Sequence, residues 1–417
     1  MGQKYSLTSI IEDKKPYKRQ NFFHFMQLPI RLMEDSFGED EFKAVMDCLR
    51  SGQYTQGKLV EEFEQKFAQW NNSKYAVMVN SGSSANLLMA FMLKHKFGLQ
   101  DGDEVIVPCV TWPTTMYPLI QYNLVPVLCE VDKGFNLDPD SLNRMISPKT
   151  KAVFLVHLLG QPAKIEEIKR ICEKNNLLLI EDCCESLGAV YKGKKVGNFG
   201  KMGSFSFYFG HHMTTIEGGM IVTDDEEVYD LLKSARSHGW VRGSHRQHLY
   251  PQYENKNFLF DMLGYNLRST NLNAAIGLVQ LAKLDESTGI RIENHKHFLE
   301  KIKSLGLRYQ QVNLAETTSF CFAILFNSKA ERDYILRTIS TKEIESRPMV
   351  AGNLLKQPVF QSFDTQKMRA DRTPLADEIH DCGIYLPNNQ FMTKEKIDYM
   401  MDSIQQLRTE FSLTNKI

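Results

Sequence analysis

Two hydrophobic periods run along this chain, and the switch between them marks its organisation. From about Glu39 to Trp70 apolar residues recur at helical spacing, and FEQKFAQW places Phe63, Phe67 and Trp70 on one face at steps of four and three. After that the period changes. Short apolar runs alternate with helix-period stretches: YAVMV then ANLLMAFMLKHK, DEVIVP, VPVLCEV then DPDSLNRMI, KAVFLVH then KIEEIKRICEKN, then LLLIED, SFSFYF and MIVTDD. These runs are too apolar to leave a wet face, which predicts an α/β domain built on a mainly parallel sheet. Beyond Asn266 a helical segment reaches about Leu305, followed by FCFAILF, the helix-period AERDYILRTIS, a loop from Arg347 to Gln357 and a terminal helix near Lys394 to Leu407. The reading is an N-terminal arm over residues 1–38, a large domain over 39–285 and a smaller C-terminal α/β domain over 286–417.

Composition narrows the class of partner. A chain of 417 residues that is 42% hydrophobic can bury a large core and divides into two or three domains. Fifty acidic and fifty basic residues cancel, so there is no basic field for nucleic acid or an anionic membrane, and a small polar partner is expected. The eight cysteines are scattered, mostly in apolar runs, without CxxC spacing, as reduced core thiols of a cytoplasmic protein would be. No run approaches the ~20 apolar residues of a membrane span. MGQKYSLTS lacks the apolar centre of a signal peptide; Gly2 and Ser6 fit a myristoylation pattern, but a match this short arises easily by chance.

Ligands of such sheets gather at the carboxyl ends of strands, and polar residues fall there: NSGSS after YAVMV, TWPTT after VIVP, EDCCES after LLLI. In NSGSSAN, small residues open a helix and let backbone N–H groups approach a phosphate, although Ser and Gly are also ordinary connectors. Asp182 leaves a buried strand, where a carboxylate is costly unless paired; a protonated pyridine nitrogen suits it, and so does a helix cap or a structural ion pair. Trp112 can lie on a flat heteroaromatic ring or pack in a core. In GSFSFYFGHHMTTIEGGMIVTDD two histidines occupy a turn, but adjacent residues do not readily chelate one ion and no Cys or carboxylate shows ligand spacing nearby, so no metal is expected.

Taken together, these segments resemble the fold-type I, pyridoxal-phosphate-dependent nucleotide-sugar enzymes of the DegT/DnrJ/EryC1/StrS family, over most of the chain from YTQGKLVEEFEQKFA onward. The resemblance implies the aspartate-aminotransferase-like fold, with a mainly parallel sheet of the seven-stranded type in the large domain. It matches the phosphate turn to NSGSSAN with Gly82 and Ser83, the ring-stacking aromatic to Trp112, the pyridine-nitrogen aspartate to Asp182 and the phosphate-contacting serine to Ser206. Glu185 falls where the family often has Gln or His beside the ring, and Glu217, Gly218 and Gly219 match its Glu-Gly-Gly. The family is typically dimeric, and Asn266 matches an asparagine that reaches the other subunit's cofactor phosphate, which implies a homodimer with a shared site.

The family's lysine falls at His211, and the asparagine that often follows it at His212, a candidate substrate contact that could equally orient its neighbour or end the strand. That departure resembles the sugar 3-dehydratase branch, as does EIESRPMVAGNLLKQPVF, which contributes Arg347 and Asn353 as candidate substrate contacts. Arg347 suits a carboxylate or diphosphate, and equally an ordinary surface position. With no cysteine between Cys184 and Cys321, the cluster of the iron-sulfur members is missing. The resemblance is to the type acting on GDP-4-keto-6-deoxymannose. One feature leans the other way, because MTTIEGG keeps a Thr-Thr pair as aminotransferases do.

A lysine forms an imine with the cofactor aldehyde, whereas imidazole cannot. Such a site holds pyridoxal phosphate or pyridoxamine phosphate by phosphate contacts, stacking and the pyridinium pair alone. With an ordinary pKa near ~6.5, His211 suits the role of base at neutral pH, leading to loss of the sugar's 3-hydroxyl with L-glutamate recharging the cofactor. An aminotransferase, or an inactive homologue that binds a sugar nucleotide, are the competing readings. By itself, a histidine satisfied within a turn is the simpler account of His211.

Overall fold

The computed structural model describes residues 28–361 and 368–414; the Gly2 and Ser6 motif lies outside them. Apolar strands dominate the larger part. β1 (Tyr75–Val79), β2 (Glu104–Pro108), β3 (Val125–Cys129), β4 (Thr150–Val156) and β5 (Leu178–Asp182) are followed by a small hairpin of β6 (Val190–Tyr191) and β7 (Lys194–Lys195), then β8 (Gly203–Ser206) and β9 (Gly219–Thr223). The main sheet has eight strands in the order β1-β9-β8-β5-β4-β2-β3-β13, the last being Arg369–Ala370. Only β9 runs antiparallel to its neighbours; the other pairings are parallel. Seven of these strands match the expected sheet. The eighth, two residues long, comes from the far C-terminal region and pairs with β3 through Arg369↔Val127 and Ala370↔Leu128. Its residues carry no apolar run, so periodicity is silent about it.

Alternation along the strands splits the core into two layers. Val77, Val79, Val105, Val107 and Ile180 pack on one face of the sheet, and Ala76, Met78, Ile106 and Leu179 on the other. The first predicted helical region forms two helices: Lys58–Asn71 closes the second layer, and Glu39–Ser51 packs on the long helix Asn271–Ile302; Phe63 and Phe67 are fully buried, with Phe67 5.6 Å from Trp70 ring to ring. The helix Gly82–His95 covers the first layer. Its N-cap Ser81 accepts from the Ser84 N–H at 3.1 Å, which starts the helix directly beyond β1.

A helix of 32 residues, Asn271–Ile302, capped by Thr270, runs unbroken through residue 285 into the smaller part. There β10 (Arg308–Tyr309), β11 (Phe322–Leu325), β12 (Arg347–Pro348) and β14 (Gly383–Leu386) form an antiparallel sheet in the order β10-β11-β14-β12. The segment read as a loop after Arg347 thus opens with a short edge strand and continues through a turn of 3-10 helix at Leu354–Lys356. The helices Lys329–Thr338 and Lys394–Thr414 pack behind it, around a third core that includes Phe298, Phe322 and Met400. All eight cysteines are free, and seven are buried. Among the described residues no helix is long and apolar enough to cross a membrane.

One buried ion pair ties the start of the sheet to its helices. Arg236, 1% exposed, donates to Glu64 and to the Met78 carbonyl, and Glu64 in turn accepts the Met78 N–H at 2.7 Å. Removing one partner leaves the other charge buried and alone, which costs about 3–5 kcal/mol. Arg236→Met is therefore expected to lose about that much stability. Urea titration followed by circular dichroism checks it; a midpoint unchanged from wild type would show that the pair carries no net stability.

Candidate active site

The carboxyl ends of β1, β2, β4, β5 and β8 open into one cavity of about 550 Å³, closed on the far side by the smaller sheet. The chain supplies this cavity with an anion cradle at one end. Gly82 is the first residue of its helix, and a Cβ there would lie 2.7 Å from Ser206 Cβ and 3.0 Å from Cys184 Sγ. Only glycine fits, so the helix N-terminus, Ser83 and the Ser206 hydroxyl converge on one space.

Asp182 ends β5 with 4% exposure. Its Oδ2 accepts from Asn86 Nδ2 at 2.7 Å and Thr115 Oγ1 at 2.8 Å, and its Oδ1 from the Cys184 N–H at 3.1 Å. No Lys, Arg or His among the described residues forms an ion pair with it. A buried carboxylate facing a cavity, held by neutral donors and lacking a cation, is suited to a cationic ring nitrogen. Trp112, following β2, is 55% exposed and its indole lines the same cavity, an open aromatic face beside the carboxylate. These donors fit a phosphate-bearing, protonated heteroaromatic ring.

His211 stands on the cavity wall, its ring packed against Tyr208 at 6.0 Å and Phe320 at 5.3 Å, with Nδ1 unpartnered. Burial lowers its pKa to about 4; the Cys184 backbone acts against this and the Arg291 guanidinium with it. The imidazole is thus neutral at neutral pH and more weakly basic than its ordinary value suggests. Glu185 lines the cavity too. Its Oε2 accepts the Leu159 N–H at 3.1 Å, and burial pushes its pKa up to about 7, with the neighbouring Asp182 adding to the rise against the Leu159 contact. Arg347 reaches the cavity from β12, exposed, with its guanidinium donating to the Ser346 carbonyl at 3.2 Å.

Two of the residues singled out from the sequence for this cavity, His212 and Asn353, do not line it, and Asn266, matched to a contact with the other subunit's site, lies outside it too. His212, read as a substrate contact, turns away from its neighbour and is 3% exposed, with Nε2 3.2 Å from the Thr318 carbonyl. Asn353, read likewise, is buried; its Nδ2 donates to Thr373 and Asp377, each at 2.9 Å, and its Oδ1 accepts the Leu355 N–H. Asn353 has its polar side-chain atoms committed within the fold because a cap consumes its side chain, whereas His212 is held through Nε2 and its buried Nδ1 has no partner. Asn266 is exposed and away from this cavity, accepting from Arg268 Nε at 3.0 Å. The Thr-Thr pair is also used locally: Thr214 Oγ1 accepts the Ile216 N–H at 2.8 Å, and Thr215 Oγ1 donates to the Glu217 carbonyl at 2.8 Å.

The sequence reading passed over the wall contributed by the smaller part, made by Phe320, Cys321, Tyr385 and Asn388. Behind it, buried Arg291 donates to the Phe320 and Asn388 carbonyls, and no carboxylate among the described residues pairs with it. No local spacing connects residue 291 with 320 and 388, so only the folded chain brings them together.

Known proteins add an independent line. A family model, the DegT/DnrJ/EryC1/StrS aminotransferase family, matches residues 35–405. The GDP-4-keto-6-deoxy-D-mannose 3-dehydratase of Escherichia coli O55:H7 is 38% identical over 387 residues, covering 90% of this chain and 99% of the relative. A solved GDP-4-keto-6-deoxymannose 3-dehydratase with a trapped PLP-glutamate geminal diamine superimposes with a TM-score of 0.84 at 36% identity, over 90% of this chain and all of the other. A histidine-to-asparagine variant of such an enzyme with GDP-perosamine bound gives a TM-score of 0.85 at 36% identity, over 91% of this chain and all of that one. With the aspartate-aminotransferase-like fold and a cavity of this construction, the chain belongs to the DegT/DnrJ/EryC1/StrS aminotransferase family.

Proposed function

We propose that this chain is a pyridoxal-phosphate-type lyase that removes the 3-hydroxyl from a GDP-linked 4-keto-6-deoxyhexose, as the similar 3-dehydratases are named for doing. One observation carries the reading: the cavity that holds Asp182, Trp112 and Ser206 is lined by His211, and by no lysine among the described residues. Bound there, pyridoxamine phosphate supplies a free amine for the sugar ketone and a ring that accepts electrons.

This chain's own residues do the rest. The amides at Gly82 and Ser83 and the Ser206 hydroxyl would hold the phosphate, Trp112 would cover the ring, and the Asp182 carboxylate would accept a hydrogen bond from the ring nitrogen and keep it protonated. Without a covalent tether these contacts alone set the residence of the cofactor. The neutral imidazole of His211, held between the Phe320 and Tyr208 rings, takes a proton from carbon. Arg347, without a carboxylate partner among the described residues, meets the diphosphate of the nucleotide or the carboxylate of L-glutamate, the amino donor that recharges the cofactor. The role belongs to deoxysugar and lipopolysaccharide biosynthesis, in the cytoplasm. A homodimer completes the site: Asn266 is exposed, and so are the nearby Phe258, Phe260 and Leu263, the last at 88%, an apolar set suited to a second copy of the chain.

Incubation with pyridoxamine phosphate and GDP-, CDP- and dTDP-linked 4-keto-6-deoxy sugars is expected to convert the GDP sugar alone, by mass analysis, to a product lacking one hydroxyl and carrying no new nitrogen; a product with hydroxyl kept and amine gained would make it an aminotransferase. His211→Lys is expected to gain a borohydride-reducible link to pyridoxal phosphate with a visible absorbance and to lose dehydration by at least about 10²-fold. If no such adduct forms, His211 does not face the cofactor. Sedimentation should give a dimer that Leu263→Glu weakens towards monomer; a wild-type monomer with full activity would refute the shared site.

A further inference from the structure

The cavity holds two titratable side chains whose surroundings displace them in opposite senses, a pattern that separates an acid from a base. Two chain segments bring both to the cavity wall. The Cys184 backbone bonds the His211 ring, and the next residue is Glu185; Phe320 packs on the His211 ring, and the next residue, Cys321, lines the cavity together with Glu185. The mechanism above uses the histidine and leaves the carboxyl unassigned.

The fold spends strain on that carboxyl. Leu159, just beyond β4, adopts φ 55° and ψ 32°, a left-handed conformation that is unfavourable for a non-glycine residue. Its N–H is thereby aimed at Glu185 Oε2, while the Gly160 N–H that follows goes to Ser186 Oγ at 3.1 Å. One oxygen is anchored, and the group as a whole remains on the cavity surface. The charged and titratable groups around it are Asp182 and Cys184 on its own turn, His211 beside them, Cys321 and Tyr385 from the smaller sheet, and Arg347 and Arg291 beyond these. No cation forms an ion pair with Glu185 among the described residues, so this setting favours the uncharged acid.

We propose that Glu185 is the acid of the dehydration, handing its proton to the sugar hydroxyl oxygen as that oxygen leaves. This deepens the 3-dehydratase reading and rests on it. His211 takes the proton from carbon; the released electron pair expels the hydroxyl; the C–O bond breaks as the Glu185 proton joins the departing oxygen, which leaves as water. Imidazolium and carboxylate remain, and exchange of one proton each with solvent restores them. With His211 lowered to about 4 and Glu185 raised to about 7, the imidazole is unprotonated above the first value and the carboxyl protonated below the second. Dehydration is fastest between them.

The test uses the full chain with pyridoxamine phosphate. Glu185→Gln keeps size and the acceptor for Leu159 but carries no acidic proton. Its kcat/KM for the GDP sugar is expected to fall by about 10²–10⁴-fold, with the alkaline limb near about pH 7 lost and the cofactor's dissociation constant unchanged. Glu185→Ala should be similarly slow and partly rescued by added acetate. Isotope-edited infrared spectra of the protein without sugar should contain a protonated-carboxyl band below about pH 7 that is absent from Glu185→Gln. Wild-type rates in Glu185→Gln, loss of cofactor binding as the main defect, or a carboxylate band throughout would each overturn the assignment. If the wild type forms no 3-deoxy product, the substrate reading fails, and the infrared titration still decides the protonation of Glu185.

Discussion

The arrangement depends on a carboxylate that the sheet buries without a cation. Asp182 sits at the end of a strand covered on both faces, and its desolvation is offset only in part, by an amide, a hydroxyl and a backbone N–H. Those donors come from three separate elements: the helix after β1, the turn after β2 and the turn after β5. Each therefore has to be in register before the carboxylate is tolerable, and the same register brings Gly82, Trp112 and Ser206 around one cavity. The demand for a positively charged ligand is built into the fold.

Replacing a lysine by imidazole changes what such a cavity needs. A covalent tether tolerates loose non-covalent contacts; without one, the cradle, the aromatic face and the carboxylate would have to retain the cofactor by themselves. The histidine also stands in an environment that weakens it as a base. Burial and the nearby Arg291 guanidinium keep it uncharged, so it is available as a base well below neutral pH, at the cost of basicity. The same dry surroundings act on Glu185 in the opposite sense, since burial always favours the uncharged form.

The far wall shows how the smaller part of the molecule takes part. Buried Arg291, on the long helix shared by both parts, fastens the carbonyls of Phe320 and Asn388, and Phe320 packs on His211 and His212. An arginine without a carboxylate is costly in a core unless its N–H groups find acceptors. Here those acceptors are the main chain of the cavity wall, so the cation's own needs hold that wall in place against the strand ends.

Much of this was legible along the chain, for reasons of local physics. Apolar runs of five or so residues, alternating with helix-period segments, specify a parallel sheet, and the polar residues that interrupt them mark the strand ends where ligands collect; NSGSS, Trp112 and Asp182 were found that way, whereas Ser206 and His211 were pointed to by the resemblance to the family. The sequence was silent wherever direction or distance in the chain mattered. Periodicity does not say which of two adjacent histidines faces the cavity, and folding chose His211 while tucking His212 against Thr318. Nor does it show that Asn353 would spend its amide on Thr373 and Asp377, or that two residues at Arg369–Ala370 would close the sheet edge. The titration of His211 and Glu185 was decided by tertiary structure alone, because the loss of water around each group is supplied by Phe320, Cys321 and Tyr385, more than a hundred residues further along the chain.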